Sequence, residues 1–493
     1  MNLASIRNET NKFITEYERE HYQDVGGFTD NPKTEEIFDR HKSLFDPSTI
    51  LYLKKLNEGK GDKRLRYLIG YLLPKSLDKN VAEIDDEIGR VESTTKVVVG
   101  SQQIPYRSSY TVMMNEEDRN KRNEIFQAAN DAVKNNMLNL MKEKWDALHQ
   151  KAKDFGYTSY ASMFQELKGV NFDELRDKIV MPILQETEKE YEIALAEALE
   201  SKVGIELEDA YPHDIRRLTR GTEYDKYFPK GRAIQVTKAT LKNLGINLDA
   251  SNVILDIEYR ENKNPRAECL PIRVPEEIVL LTKPIGGVLD QRNTNHEAGH
   301  TSNYIHVPKN RPLEFRHWPF GDKGVDETYS ALFENLVLSP SWLSEYVTKD
   351  DMTEFIKQQW LNESIWFRRI ASDFIFETEF HKGNLKNPEK FNKVVKEKNL
   401  KYKLRGSEIF YPYIDPEFYG TNYLRSYVLE AMLRRHLAES FGKEWFLKKE
   451  AGDSLKRLWR YGKELTGKEL AMKIGFSDLN PVPYIEDLKR ELM

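Results

Sequence analysis

The apolar residues between positions 126 and 148 constrain the fold of this 493-residue chain most strongly. They recur every three or four positions, a spacing that places them on one face of an α-helix. A similar pattern runs from about Phe172 to Leu199, with charged residues on the other face. Residues 94–112 interrupt these patterns with β-branched residues and predict a hairpin or an ordered loop. The first apolar face consists of Phe126, Ala129, Val133, Met137, Met141, Trp145 and Leu148.

Composition divides the chain into three regions. Residues 1–210 and 291–493 read as helix after helix. Residues 211–290 contain two strand-like stretches, 251–259 and 278–281, among prolines and glycines. We therefore predict a mainly α protein with a small sheet in its middle region. Because no linker or low-complexity tract separates the regions, we expect one cooperative body with two lobes.

Composition also excludes several classes of protein. Lys and Arg total 75 and Asp and Glu total 80, so the net charge of −5 gives no bulk reason to bind nucleic acid or an anionic membrane. Hydrophobic residues make up 39% of the chain, which excludes a mainly disordered protein. No apolar run of about 18 residues predicts a membrane-spanning helix. A single cysteine, Cys269, and an N-terminus without a signal-peptide core predict a cytoplasmic location, with a monomer as the default.

The segment NHEAGHTSNYIH, residues 295–306, carries the clearest chemical signal. It contains His296, Glu297 and His300 in the pattern HExxH. On a helix, residues i and i+4 share a face with Cβ atoms about 5–6 Å apart, so both imidazoles can bind one Zn²⁺. Glu297 lies about 100° round the helix, where it can act as a general base on water. The alternative interpretation is a chance match on a charged helix.

A third metal ligand is expected downstream, and Glu327 is the first candidate. It lies in GVDETYSALFENLV, residues 324–337, a second helical pattern. Glu327 and Glu334 fall on one stripe of this helix among Leu and Phe residues, so both carboxylates need partners. A zinc ion would provide one for Glu327, and a hydrogen bond to a ligand imidazole would provide one for Glu334.

His306 is the second candidate for the third ligand. HEAGHTSNYIH fits the pattern HExxHxxGxxH except that Asn303 replaces the glycine, and asparagine also tolerates a left-handed conformation. That pattern requires a methionine beneath the metal, and the next one, Met352, reads as the start of a helix. The alternative role for His306 is that of a surface histidine or a neighbour of the ligands. Spacing alone leaves Glu327 and His306 both open.

Three segments of the chain resemble the zinc peptidases whose third ligand is a glutamate (gluzincins). The segments are HEAGH with VDETYSALFENL, then DIEYRENKNPRAEC (256–269), then NYLRSYVLEAML (422–433). They are most similar to the thimet oligopeptidase and oligoendopeptidase F family, and more distantly to angiotensin-converting enzyme and carboxypeptidase Taq. The resemblance extends from about residue 170 to the C-terminus. One departure, Tyr329-Ser330-Ala331 where the family has Pro-Ser-Gln, leaves substrate preference open.

The resemblance implies a large helical, two-lobed metallopeptidase body with a small β-sheet beside the HExxH helix. It implies one Zn²⁺ per chain, held by His296, His300 and Glu327, and a restricted cleft that admits short peptides. Tyr423 falls on the family's catalytic tyrosine and would stabilise the oxyanion. Further residues are predicted to support the site or to bind substrate, with ordinary packing or a solvated face as the alternative: Tyr419, Tyr427, Glu334, His306, His317 and Arg425, with Arg434 and Arg435 near the last.

Three other functions stay compatible with the sequence. One is a carboxypeptidase or dipeptidyl carboxypeptidase of the same clan, and another is a zinc hydrolase acting on a non-peptide amide. The third is a helical scaffold that keeps the metal for structure. Glu297 argues against a scaffold, because a structural zinc site needs no general base and normally has four protein ligands.

Overall fold

A computed structural model of the chain describes residues 1–29, 31–405 and 410–493. Helices form most of these residues and strands only a small part, which confirms the predicted mainly α class. The strands are Lys96–Val99 (β1), Gln102–Pro105 (β2), Val253–Asp256 (β3), Glu268–Arg273 (β4) and Glu277–Leu281 (β5). The α-helices are Leu3–Val25 (α1), Thr34–Arg40 (α2), Pro47–Asn57 (α3), Lys63–Thr94 (α4), Tyr106–Asn115 (α5), Arg119–Asn136 (α6), Leu138–Asp154 (α7), Tyr160–Lys168 (α8), Phe172–Leu175 (α9), Met181–Glu186 (α10), Glu188–Val203 (α11), Pro212–Leu218 (α12), Ala233–Asn243 (α13), Val288–Ile305 (α14), Leu313–Arg316 (α15), Lys323–Glu334 (α16), Pro340–Tyr346 (α17), Thr353–Lys382 (α18), Pro388–Leu400 (α19), Gly420–Phe441 (α20), Lys449–Trp459 (α21), Gly467–Lys473 (α22) and Val482–Glu491 (α23).

The chain forms two compact units, each built from separate stretches of sequence. The first unit comprises Met1–Leu73, Thr222–Ile356 and Asn422–Tyr484. The second comprises Pro74–Gly221, Lys357–Thr421 and Ile485–Met493. Each unit therefore contains three separate stretches of the chain. The division at residues 210 and 290 stays a prediction from composition. Within the described part of the chain, no helix combines the length and the apolar character needed to cross a membrane.

The apolar stripe from 126 to 148 lies in the second unit and is buried, but it is not one helix. It is divided between α6 and α7 at Met137, whose φ and ψ of −126° and −22° leave the helical region. Asn135 and Asn136, which are weak helix formers, come immediately before the break. Val133, Met137 and Met141 still share one core cluster, so the apolar period continues across the break.

The predicted hairpin also belongs to the second unit. Strands β1 and β2 pair antiparallel on either side of Gly100, with Val97 opposite Ile104. These two side chains pack into a core cluster with Ile125 and Phe126 of α6. The hairpin therefore has a packing role, because its inward residues complete the apolar face of that helix.

The small sheet predicted in the middle region lies in the first unit. Its strand order is β3-β5-β4, with β3 parallel and β4 antiparallel to the central strand β5. One face packs against Tyr22 and Val25 of α1. The other contributes Ile278 to a cluster with Tyr304, near the end of α14, and this cluster confirms the sheet beside the HExxH helix. Strand β4, at one edge of the sheet, is thereby held against the helix that carries His296 and His300.

Candidate metal centre

The site is built where α14 and α16 approach closely in the first unit. Gly299, between the two predicted ligands on α14, makes this approach possible. A Cβ atom at this position would lie 2.7 Å from the Cα of Ser330 and 3.0 Å from the carbonyl oxygen of Tyr329. Such contacts are too short for a side chain, so any larger residue would force the helices apart. The glycine of HEAGH therefore sets the distance between the two helices that carry the candidate ligands.

His296, His300 and Glu327 come together at this contact. The nitrogen and oxygen atoms that they offer all lie within 4.8 Å of one another. His296 Nε2 lies 3.4 Å from Glu327 Oε2, and His300 Nε2 lies 3.9 Å from the same oxygen. His300 and Glu327 are buried, and His296 is half-buried. The structure thus brings together the residues that the sequence predicted as metal ligands.

The spacing of these atoms fits a shared zinc ion. Two ligands about 2.0–2.1 Å from one tetrahedral ion are about 3.4 Å apart, close to the separations found here. A charge-assisted hydrogen bond between a histidine and a carboxylate is shorter, about 2.7–2.9 Å. Two imidazoles and a carboxylate are also the donor set of catalytic zinc sites that keep one position open. The residues therefore fit the predicted ion in both geometry and chemistry.

Glu334 and Arg292 hold the orientation of the His296 ring. Its Nδ1 lies 2.8 Å from Glu334 Oε2, so the imidazole donates through Nδ1 and turns Nε2 towards Glu327. Glu334 in turn accepts hydrogen bonds from Arg292 at 2.8 and 3.1 Å. Burial alone would raise the pKa of Glu334, but Arg292 and His296 lower it to about 2. The sequence predicted the bond from Glu334 but not Arg292, although Arg292 precedes His296 by one helical turn.

Burial also shifts the pKa values of the other two residues of the HExxH motif, His300 and Glu297. It lowers the pKa of His300 to about 3, so the imidazole is neutral and available as a ligand. It raises the pKa of Glu297 to about 7, against the opposing effect of His296. Glu297 Oε2 accepts a hydrogen bond of 2.8 Å from the backbone N–H of Cys269 on β4. The carboxylate is therefore fixed between the metal helix and the edge strand.

A buried ion pair between Asp326 and Lys463 fixes the helix that carries Glu327. The sequence did not predict this pair. Asp326 Oδ1 lies 2.5 Å from Lys463 Nζ, and both side chains are about 1% exposed. The ammonium group also lies 4.4 Å from the ring centre of Tyr304 on α14. Because one lysine contacts both helices, it holds α16 in register with α14. A lone lysine far along the sequence carries no signal that predicts this contact.

His306 and His317 are not brought into the triad. His306 follows the last turn of α14, about 9 Å further along the axis than His300. Its Nδ1 donates to the backbone oxygen of Ser302 at 2.7 Å, and its ring packs against Trp459. His317 is buried after α15, and burial lowers its pKa to about 3. Of the two candidates for the third ligand, the geometry favours Glu327.

Arg425 has a structural environment rather than the substrate-binding one that was predicted. Its Nη1 lies 2.6 Å from Asp322 Oδ2, and both side chains are buried. Asp322 also accepts hydrogen bonds from the backbone N–H groups of Gly324 and Gly467 and so caps α16. The ion pair ties α20 to the start of the helix that carries Glu327. The protein itself therefore holds two of the guanidinium nitrogens of Arg425, through Asp322 and Asn422.

Removal of this buried arginine should strongly destabilise the protein. Arg425→Met leaves the Asp322 carboxylate buried without its charged partner, and such losses cost about 3–5 kcal/mol. Chemical denaturation should show a free energy of unfolding lower by about that amount. Arg273→Met removes the exposed pair with Glu277 and should change it by less than about 1 kcal/mol. Equal effects of both substitutions would contradict the anchoring role.

The three predicted tyrosines have different environments. Tyr423 lies in the first turn of α20 and is 37% exposed. Tyr427, one turn later, packs its ring against Tyr484 with the ring centres 5.5 Å apart. Tyr419 precedes α20 and belongs to the second unit. Their roles in catalysis or substrate binding stay predictions.

Comparison with known proteins does not assign the chain to a family. No family model matches it, and no match was found among curated proteins. The function is therefore inferred from the geometry of the site and from the resemblance of its motifs.

Loss of Glu334 should weaken metal binding without removing a ligand. In Glu334→Ala the imidazole of His296 loses the acceptor that fixes its orientation, and changes of this kind weaken metal affinity about 10–100-fold. Competition with a chromogenic chelator measures the affinity. Glu345→Ala, at an exposed position on α17, is the control and should bind zinc like the wild type. An unchanged affinity in Glu334→Ala would remove this residue from the metal centre.

Proposed function

We propose that the protein is a zinc-dependent hydrolase that cleaves peptide bonds in short peptides. The observation that carries the proposal is the convergence of His296, His300 and Glu327, with their donor atoms within 4.8 Å, beside the half-buried carboxylate of Glu297. Three ligands leave one position of a tetrahedral zinc ion for water or substrate. A carboxylate beside the triad is suited to accept a proton from an attacking water.

The residues of the site have separate roles in this proposal. His296, His300 and Glu327 would hold the zinc ion, which would supply the Lewis-acid chemistry that polarises the scissile carbonyl and acidifies water. Glu297 takes a proton from the attacking water on a carboxylate oxygen and then delivers it to the nitrogen of the leaving amine. Glu334 and Arg292 keep His296 in the orientation that exposes Nε2. The Tyr423 hydroxyl donates a hydrogen bond to the oxyanion that develops on the carbonyl oxygen.

A peptide substrate is supported by the strand beside Glu297. β4 is at the edge of its three-stranded sheet, and the N–H of Cys269 donates to Glu297. This N–H therefore points away from β5, towards the edge of the sheet that lies next to the proposed base. An extended peptide can add to such an edge through backbone hydrogen bonds. This arrangement would bring the scissile bond of a peptide close to Glu297 and the triad.

Digestion of a mixed peptide library, with and without a metal chelator, tests the proposed function. We expect mass spectrometry to show cleavage that a chelator abolishes and that added zinc restores. Peptides with a free and an amidated C-terminus distinguish the mode of cleavage, because an endopeptidase still cuts the amidated peptide and a carboxypeptidase does not. Cleavage that persists in excess chelator, or no cleavage at all by the zinc-loaded protein, would contradict the proposal.

The role of Tyr423 has its own test. The position is supported by its exposure in the first turn of α20, the helix that Arg425 ties to the start of α16. Tyr423→Phe should lower kcat about 10²–10³-fold with little change in KM, because the hydroxyl acts on the transition state. Tyr52→Phe, at a position on α3 of the same unit that is 38% exposed, serves as the matched control. Similar kcat values for the two variants would argue against Tyr423.

A further inference from the structure

The second unit contains an open groove that the proposed hydrolysis does not use. Its empty space is about 760 Å³ when the open solvent at its mouth is included. Residues of α5, α6, α12, α18 and α19 line it, together with the chain segment that follows α19. The groove is therefore assembled from elements far apart in the sequence.

Aromatic side chains form much of the wall of this groove. Trp366, Tyr413 and Tyr110 line it and are 44%, 39% and 38% exposed, while Phe126 and Tyr402 lie deeper. Large aromatic residues are usually buried, and a cluster of exposed rings around a concavity typically marks a binding site. The walls can hold a flat apolar group against several ring faces.

The charged groups that line the groove are all positive among the described residues. They are Arg216, Arg369 and Lys396. Lys396 Nζ is neutralised by Asp373 at 2.8 Å, whereas Arg369 Nε is 3.9 Å from the same carboxylate, too far for a hydrogen bond. The described residues that line the groove thus include three cations and no carboxylate, so the groove attracts an anion.

Both arginines contact aromatic rings, and Arg369 has in addition only the long ion pair with Asp373. Arg216 lies 4.2 Å from the ring centre of Tyr110 and donates a long bond of 3.4 Å to the Tyr413 hydroxyl. Arg369 lies over the rings of Trp366 and Tyr413 and makes no hydrogen bond with the described part of the chain. Stacking fixes the planes of the guanidinium groups and leaves N–H donors for a carboxylate or a phosphate.

The geometry points to a binding site in this groove for a small organic anion that carries an aromatic ring. The ring packs between the tyrosines and Trp366, and the anionic group accepts hydrogen bonds from Arg369 and Arg216. Recognition requires the two parts together, because the aromatic walls supply apolar contact and the arginines supply charge. The site lies in the second unit and does not depend on the metal centre.

Two probes that differ only in charge test this site on the full-length protein. N-acetyl-L-phenylalanine has a ring and a carboxylate, and N-acetyl-L-phenylalaninamide has the same ring without the charge. Calorimetric titration should show at least about tenfold tighter binding of the acid, since hydrogen bonds to charged groups are the strong ones. Excess metal chelator should leave this binding unchanged. Equal affinities for acid and amide, or binding that chelator abolishes, would overturn the proposal.

Substitutions locate the binding in the groove. Arg369→Met and Arg216→Met should each weaken binding of the acid about tenfold, with circular dichroism to check folding. Arg176→Met is the matched control, because the Arg176 side chain is 34% exposed, like that of Arg369, and lies outside the groove. If neither groove variant weakens binding relative to the control, the site is not there. Phenyl phosphate distinguishes the anionic group, and tighter binding than the carboxylate would support a phosphate ligand for the same site.

Discussion

Replacement of Glu327 with alanine is expected to abolish stoichiometric zinc binding. Apparent zinc-binding free energies of about 10–16 kcal/mol in four-ligand sites imply a loss of about 3 kcal/mol or more for one ligand, or over a hundredfold in affinity. The two remaining candidate ligands, His296 and His300, both lie on α14, so no side chain of the triad would bind the ion from the opposite side. Metal analysis after gel filtration and competition with a chelator measure the zinc content and the affinity.

The control for this variant is Glu345→Ala, which removes an exposed carboxylate from the same unit. It should keep about one zinc per chain. If Glu327→Ala binds zinc as tightly as the control, the third ligand lies elsewhere, and His306 is the first residue to substitute. A lower zinc content together with an unchanged thermal unfolding midpoint of the metal-free protein would show that the loss is local.

Replacement of Glu297 with glutamine should separate metal binding from hydrolysis. The amide cannot take a proton from water, so kcat should fall at least about 10²–10⁴-fold, the usual contribution of a general base. Its oxygen can still accept the hydrogen bond from the Cys269 N–H, so the local structure should survive. Zinc content is measured on the same preparation as the rate of peptide cleavage.

Glu276→Gln is the matched control for the same chemical change. Glu276 lies between β4 and β5 and pairs with the exposed Lys309, so its loss should leave both zinc content and kcat near the wild type. We expect Glu297→Gln to bind zinc normally and to be inactive. Normal turnover in this variant would remove Glu297 from the mechanism even if the metal site is real.

Much of the fold class followed from periodicity, but the ends of the elements did not. The stripe from 126 to 148 correctly predicted buried helical residues, yet the break at Met137 was missed because an apolar period continues through a kink. The second stripe is likewise divided, at Thr187, between α10 and α11. The hairpin and the sheet were predicted because β-branched residues, glycine and proline signal them locally.

The site was predicted in part for a similar reason. His296, Glu297 and His300 are fixed relative to one another by the geometry of one helix, so their spacing indicates a shared metal. The contribution of Glu334 followed from its place on the stripe with Glu327. Arg425 was predicted to bind substrate because no local sequence pattern links it to its ion-pair partner, Asp322. Arg292 and Lys463 were missed because their partners lie on other elements.

The sequence by itself determined that this protein is mainly helical and that two imidazoles share one helical face. Those properties depend on residues a few positions apart, whose relative placement is dictated by backbone geometry. The tertiary structure alone decided between Glu327 and His306, because only the packing of α14 on α16 across Gly299 brings a distant carboxylate within 4.8 Å of both rings. It also assembled the cationic aromatic groove from separate helices, a juxtaposition that no local spacing encodes.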